Sequence, residues 1–145
     1  MHHRYFLGLV LALCLAHQGQ ATTHAVGPSR AYPSPNALYT AGVVADGDTI
    51  HIDAVAYSGT AALAVWTADD LLIKGVRGRA HLMAAGQAIQ GKGIWVVQGD
   101  NCTIENIEFS GAAVPSLNGA GIRVDPMALL TAFTVRHCYF HDNEN

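Results

Sequence analysis

The alternation of apolar and polar residues repeats in three seven-residue segments that begin 31 positions apart, at residues 72–78, 103–109 and 134–140. Within each segment the apolar residues recur at every second position, which is typical of β-strands rather than helices. A fixed period of this length is typical of a solenoid, in which each repeat buries its apolar face only by stacking on its neighbours. The pattern therefore predicts stacked rungs of β-structure.

A second set of apolar segments precedes the repeats, at residues 63–66, 94–97 and 122–124. These segments predict another strand in each rung. Turns with Asp and Asn separate the two sets, and loops at residues 79–93 and 110–121 close the rungs. Three short strands per turn predict an all-β fold, a parallel β-helix of about three to four rungs.

Each seven-residue segment is expected to bend at its middle, where the repeat aligns Gly75, Asn106 and His137. Gly and Asn tolerate left-handed backbone conformations, and Asn also bonds neighbouring backbone groups, so we interpret this column as structural. A catalytic role for His137 is the alternative. The two columns after the bend are expected in the core, with Val76, Ile107 and Cys138 in the first and Gly78, Phe109 and Phe140 in the second.

The first 21 residues are predicted to lie outside the fold. Residues 1–21 combine a basic start, an apolar run too short for a membrane span and a small-residue ending. This combination indicates a cleaved signal peptide and a secreted or periplasmic protein. A membrane anchor is the alternative.

The rest of the chain divides into a lead-in, a cap and the rungs. Residues 22–35 predict an extended lead-in, and residues 36–48 an N-terminal cap that contains a short helix begun by Asn36 or Ser34. The rungs occupy residues 49–145 and stop inside a repeat. We therefore expect this sequence to be the N-terminal part of a longer solenoid.

The charge balance is acidic. Removal of Arg4 with the signal peptide leaves seven Lys and Arg against eleven Asp and Glu. This balance does not favour nucleic acid or an anionic membrane as a partner. Cys102 and Cys138 fall in different apolar columns and are expected to be free thiols, although the secretory route permits a disulfide. A monomer is expected for the full-length protein.

Four stretches are similar to right-handed parallel β-helix proteins of the pectate-lyase-like (pectin-lyase-like) superfamily: residues 46–50, 101–109, 121–124 and 134–143. The resemblance extends over about residues 27–145. It implies a right-handed parallel β-helix that binds an acidic, uronate-containing polysaccharide and cleaves or modifies it in a lyase-like or epimerase-like reaction. A non-catalytic surface-binding or adhesin-like scaffold is the alternative, because a fold does not specify an activity.

The resemblance places the substrate along the sheet made by the strands that precede the repeats. Trp95 and Arg123 are expected to share an outward column there, with Trp66 at the exposed end of its strand. Trp stacks on sugar rings, and Arg pairs with carboxylates and is the candidate catalytic residue. The alternative is a covered Trp95 and a merely solvated Arg123. The predicted substrate-binding residues are Trp66, Trp95, Arg123 and Asp125.

A pectate-lyase-like reaction needs Ca²⁺ held by several carboxylates, together with a base. The candidate calcium ligands are Asp100 and Asp125, on successive turns. Residues 141–145 are rich in ligand side chains and are interpreted as a polar turn that closes a rung, with a substrate-facing loop as the alternative. The histidines outside the signal peptide show no metal-ligand spacing along the sequence.

Overall fold

The computed structural model describes residues 20–125 and 132–144. Nearly all of the predicted signal peptide, residues 126–131 and Asn145 lie outside these ranges. No helix in the described part of the chain is both long and apolar enough to cross a membrane. In chain order the elements are β1 (Thr23–Val26), α1 (Pro35–Ala41), β2 (Thr49–Asp53), β3 (Ala56–Ser58), a 3-10 helix (Gly59–Ala62), β4 (Ala64–Trp66), β5 (Leu72–Val76), β6 (Ala80–Met83), β7 (Gly93–Val97), β8 (Cys102–Glu105), β9 (Ile107–Ser110), β10 (Ala120–Val124), β11 (Phe133–Arg136) and β12 (Tyr139–His141).

The strands form three sheets in which neighbouring strands run parallel. Sheet A has the order β1-β2-β5-β8-β11, sheet B the order β3-β6-β9-β12, and sheet C the order β4-β7-β10. A rung passes from sheet C through sheet A to sheet B, and about four turns stack into a solenoid. The first rung contains β2 and β3, the second β4 to β6, the third β7 to β9 and the fourth β10 to β12. The prediction of an all-β parallel β-helix is confirmed.

In sheet A, residues that lie 31 positions apart in the sequence pair with each other across β5, β8 and β11. Ile73 pairs with Ile104, and Ile104 pairs with Val135, so one apolar column runs through three rungs. Cys102 is buried at the start of β8, and Cys138 is half-buried beyond the bend. Both are free thiols.

After the bend the register departs from this period. Ile107 pairs with Ala80 and not with Val76, so the predicted columns after the bend are wrong for the second rung. The cause is the length of the bend. The second rung extends β5 through Val76 and turns at residues 77–79, whereas the third rung turns at Asn106 alone.

The side chain of Asn106 connects the bends of two rungs. Its backbone is left-handed with φ of 57°, and its Nδ2 donates hydrogen bonds to Gly75 O at 3.1 Å and to Gly78 O at 2.8 Å. Gly75 has no room for a side chain, because a Cβ there would lie 2.2 Å from Asn106 O. His137 takes the same place in the fourth rung with φ of 55°, and it is exposed. Asn106 and His137 therefore build the bends of their rungs, whereas Gly75 lies within β5, before the turn at residues 77–79, so the predicted bend at Gly75 is wrong.

A row of aspartates joins successive rungs at the turn between sheets C and A. Asp46 Oδ1 accepts a hydrogen bond from Asp69 N at 2.8 Å, and Asp69 Oδ1 accepts one from Asp100 N at 2.7 Å. In the next rung Asp100 Oδ1 accepts from Ala132 N at 2.9 Å. Each carboxylate thus satisfies a backbone donor of the following rung, which explains the Asp-rich turns.

The core contains a continuous row of aromatic rings. Trp66 packs edge-to-face on Trp95 with ring centroids 5.4 Å apart, and Trp95 packs in the same way on Phe109 at 5.1 Å. Phe109 stacks on Phe140 at 5.0 Å. Trp95 is fully buried, and its Nε1 donates to Ala62 O at 2.9 Å. The predicted outward position of Trp95 is therefore wrong, as is the exposed position of Trp66, which is also buried.

The error in sheet C has a physical reason. All five residues of β7 are buried, so hydrophobicity along this strand does not reveal which face is inward. Ile122, and not Arg123, pairs with Trp95, and a one-residue offset moves every side chain to the opposite face. Arg123 pairs with Val96 and is exposed on the outer face.

The N-terminal end of the solenoid carries the predicted cap. Ser34 caps α1 by accepting a hydrogen bond from Ala37 N at 3.2 Å, and the helix ends at Gly42 in the left-handed conformation. Asn36 donates instead to Leu63 O at 3.0 Å, and α1 packs against β4, the first strand of sheet C. The lead-in is more ordered than predicted, because β1 pairs with β2.

Candidate metal centre

Sheet B carries a cluster of polar side chains on its outer face, built by the alternation of β6, β9 and β12. Leu82 and Phe109 point into the core, so the residues beside them point outward. The register sets His81 opposite Glu108, and His141 opposite Ser110. The outward side chains that meet across these strands are His81, Glu108, Ser110 and His141.

Glu108 lies between the two imidazoles. Its Oε1 is 3.0 Å from His141 Nε2 and 3.4 Å from His81 Nε2. The ligand atoms of the three residues all lie within 4.8 Å of one another. His81 Nε2 is also 2.7 Å from Ser110 Oγ, and the two imidazole centroids are 5.7 Å apart. No other group of three or more potential metal-ligand side chains converges within residues 20–125 and 132–144.

The cluster is reachable from solvent. The side chains of His81, Glu108 and His141 are 26%, 24% and 28% exposed. Beneath them, Ser110 is 7% exposed, and Phe109 is fully buried. An ion would therefore contact protein on one side and solvent on the other.

Asp142 orients the imidazole of His141. His141 Nδ1 donates a hydrogen bond to Asp142 Oδ2 at 2.8 Å, while its Nε2 faces Glu108. Hydrogen bonds to Asp142 and then to Glu108 raise the pKa of His141 above its ordinary value. A carboxylate on Nδ1 is the usual outer partner of a metal-binding histidine, because it orients the ring and makes Nε2 a stronger ligand. Tyr139 stacks on the same imidazole with centroids 4.8 Å apart and limits its rotation.

Two imidazole nitrogens and one carboxylate oxygen are a donor set for transition metals. Zn²⁺ binds His at about 2.0–2.1 Å and carboxylate oxygen at about 2.0–2.2 Å, so neighbouring ligand atoms in a tetrahedral site are roughly 3.4 Å apart. The separations of 3.0 and 3.4 Å from Glu108 Oε1 to the two nitrogens are close to that value. Ca²⁺ and Mg²⁺ prefer ligand sets made of oxygen alone. The donor types therefore suit Zn²⁺ or a similar ion.

The predicted substrate-binding residues do not form one surface. Trp66 and Trp95 are buried, and among residues 20–125 and 132–144 no hydrogen-bond partner of Trp66 Nε1 is found. Arg123 is exposed on the outer face of β10, whereas Asp125 is 5% exposed beyond the end of that strand. Arg123 is thus the member of the set that remains accessible to a ligand.

The two predicted calcium ligands already have partners. Asp125 Oδ2 forms an ion pair with Lys92 Nζ at 3.0 Å and accepts a hydrogen bond from Gln98 Nε2 at 3.1 Å. Asp100 Oδ1 accepts from Asn101 N at 2.8 Å and belongs to the aspartate row. These contacts compete with a calcium ion for the same oxygens, so the donor set does not favour Ca²⁺ at Asp100 and Asp125.

Residues 142–144, directly after β12, form a turn that closes the rung. Asn143 Oδ1 accepts from Ala112 N at 3.0 Å, and Glu144 Oε2 accepts from Val114 N at 2.8 Å. The predicted polar stretch also supplies His141 and Asp142 to the cluster. The interpretation as a polar turn therefore applies to residues 142–144, and the cluster lies on sheet B rather than on sheet C, where the resemblance places the substrate.

Comparison of the chain with protein-family models, with curated proteins and with solved structures found no match. The fold therefore rests on the strand pairing described above, and the resemblance to the pectate-lyase-like superfamily stays a hypothesis.

Sequence reasoning missed the metal-ligand cluster. His81 and Glu108 are 27 positions apart, and Glu108 and His141 are 33 apart, so neither spacing equals the 31-residue period. The longer bend of the second rung sets His81 opposite Glu108. The pairing of β9 with β12 keeps the 31-residue period, and His141 lies two residues beyond Tyr139, the partner of Glu108. The sequence did contain one indication of the cluster. Each of the three residues occupies a polar position in the alternating pattern of the last strand of its rung.

Proposed function

We propose that this β-solenoid binds a divalent transition-metal ion through His81, Glu108 and His141. The observation that supports the proposal is the convergence of Glu108 Oε1 with two imidazole Nε2 atoms, at 3.0 and 3.4 Å. The hydrogen bond from His141 Nδ1 to Asp142 adds support, because a histidine that binds a metal through one ring nitrogen usually donates the other to a carboxylate.

The donor types narrow the choice of ion. Imidazole suits Zn²⁺, Cu²⁺, Ni²⁺ and Fe²⁺, and affinities for such sites generally rise towards Cu²⁺. A carboxylate with two histidines, open on one side, leaves room for water or another ligand on the ion. Zn²⁺ is the natural first probe.

Isothermal titration calorimetry with Zn²⁺ tests the proposal. The background is the full chain with His2→Ala and His3→Ala, so that these N-terminal histidines do not contribute. We expect one ion per chain, and we expect Glu108→Gln and His141→Ala each to weaken binding by at least about tenfold. His137→Asn is the matched control, because this histidine is exposed on the same rung but outside the cluster. Binding that is unchanged in Glu108→Gln and His141→Ala contradicts the proposal.

We propose binding of an acidic polysaccharide as a second candidate function, supported by the exposed Arg123 on sheet C and by the resemblance of the repeats. In this hypothesis the protein is secreted or periplasmic and binds uronate polymers. It either cleaves or modifies them, as a pectate-lyase-like protein would, or serves as a non-catalytic scaffold.

Incubation of the protein with polygalacturonate and alginate tests this second candidate. Unsaturated product would absorb at roughly 235 nm, as β-elimination next to a uronate carboxyl requires. Binding that is lost in Arg123→Ala, without product, indicates the scaffold. Absence of both product and binding rejects the candidate and leaves the metal proposal unaffected.

A further inference from the structure

The three ligands of the proposed metal site belong to three successive rungs. His81 lies on β6 in the second rung, Glu108 on β9 in the third and His141 on β12 in the fourth. Between rungs, these strands are joined by the parallel pairings β6–β9 and β9–β12. An ion held by all three side chains would therefore add a link that reaches across two rung interfaces.

The fourth rung is the least buried part of the described stack. Val135 is 40% exposed and Phe140 is 43% exposed, whereas Ile104 and Phe109 in the same columns of the third rung are fully buried. Among the described strands, β10, β11 and β12 each pair on one side only. Segments with few buried contacts and open edges have low free energies of local opening.

We propose that the bound metal ion acts as a clamp that holds the fourth rung on the third. This inference rests on the proposed function of the same site. When β12 leaves β9, His141 leaves with it, and the ion loses one of its three protein ligands. The ion therefore binds the docked rung more tightly than the open one, so occupancy shifts the equilibrium towards docking.

The size of the effect follows from mass action. If the open form does not bind the ion, free metal at 100 times its dissociation constant lowers the equilibrium constant for opening of the fourth rung about 100-fold. The first rung lies outside the clamp, so its opening should not change. This difference between rungs separates a clamp from a general effect of metal on the protein.

Hydrogen exchange measured by mass spectrometry tests the clamp. The sample is the full chain with His2→Ala and His3→Ala, with and without Zn²⁺ at about 100 times the dissociation constant measured by calorimetry. We expect exchange in peptides that cover residues 133–141 to slow by up to about 100-fold with Zn²⁺, and exchange across residues 49–58 to stay constant. His141→Ala should abolish the effect of Zn²⁺, whereas His137→Asn should retain it.

The outcomes distinguish the clamp from the metal site itself. If calorimetry shows Zn²⁺ bound through Glu108 and His141 but exchange across residues 133–141 is unchanged, the clamp is rejected and the metal site stands. If Zn²⁺ does not bind at these residues, both are rejected. A metal-free fourth rung that is already as protected as the first also rejects the clamp.

Discussion

Asn106, at the bend of the third rung, packs against Gly75 in β5 of the second rung. Asn106 Nδ2 donates to Gly75 O at 3.1 Å, and the space where a Cβ on Gly75 would lie is filled by Asn106 O, 2.2 Å away. The amide of one rung thus serves as the hydrogen-bond donor for the turn of another, and the glycine permits the close approach.

Replacement of Asn106 by glycine should destabilise the protein by about 2 kcal/mol, because two hydrogen bonds to backbone carbonyls are lost while the left-handed conformation stays accessible. Urea denaturation followed by circular dichroism measures the change. His137→Gly is the control at the equivalent bend, where the side chain is exposed. It should lower the free energy of unfolding by less than about 1 kcal/mol. Equal costs at both positions would show that the hydrogen bonds contribute nothing.

Replacement of Gly75 by alanine should cost about 3 kcal/mol, because the new methyl group meets the backbone oxygen of Asn106 and the bend must move. Gly86→Ala is the matched control. Its φ is +79°, but nothing lies within 4 Å of the added Cβ, so only about 1 kcal/mol of backbone strain is expected. The same denaturation experiment compares the two, and a Gly75→Ala variant as stable as wild type contradicts the described packing.

The aspartate row predicts a difference between two substitutions at one site. Asp69→Ala should lose about 1–2 kcal/mol, because Asp100 N loses its acceptor at the turn. Asp69→Asn keeps a side-chain oxygen and should lose less than half of that. A loss of stability that is equal in the two variants would assign the effect to charge rather than to the hydrogen bond.

Asp48 should make the attachment of the lead-in sensitive to acid. Burial raises the pKa of Asp48, but hydrogen bonds from Ala45 N, Thr22 N and His24 outweigh it, so the pKa is lowered in the folded protein. A lowered folded pKa means that the stabilisation is present above the unfolded value of about 3.9 and is lost as pH falls through the folded pKa. Measurement of the unfolding free energy from pH 7 downward should show this loss.

Asp48→Asn is the variant that isolates this carboxylate. It should be less stable than wild type by about 2 kcal/mol at pH 7, because hydrogen bonds to a charged acceptor are replaced by weaker ones. The difference should shrink as the pH falls below about 4. A difference that is independent of pH would contradict the assignment.

For the 145-residue chain taken by itself, the edge of the fourth rung that no described strand covers predicts association between chains. Val135 on β11 and Tyr139 and Phe140 on β12 are exposed, and edge strands of this kind can pair with other chains. Sedimentation velocity should show self-association that increases over the micromolar range. Val135→Lys should reduce it, because a charge on an edge opposes pairing. Leu117→Lys is the control, since Leu117 is 75% exposed but lies in a loop, and a monomeric wild-type chain would contradict the prediction.

The overall architecture could be predicted from the alternation of apolar and polar residues and from the 31-residue period. Alternation at Ile73, Ile104 and Val135 indicates strands, and their constant spacing requires rungs that stack in register, because no single repeat buries its own core. Ser34 and Asn36 predict a helix start near these positions, and Asn106 at a bend predicts a left-handed residue. These features depend on neighbouring residues and on backbone sterics, so they can be predicted from the sequence.

The stacking of the rungs decided which side chains meet. In β7 every residue is buried, so only the packing of Trp95 on Trp66 and Phe109 establishes its inward face. The proximity of His81 and His141 depends on the number of residues in each bend, because a shift in register redirects the side chains of a strand. Period and composition contain no information on that offset, and so the aromatic core and the candidate metal centre emerged only from the tertiary structure.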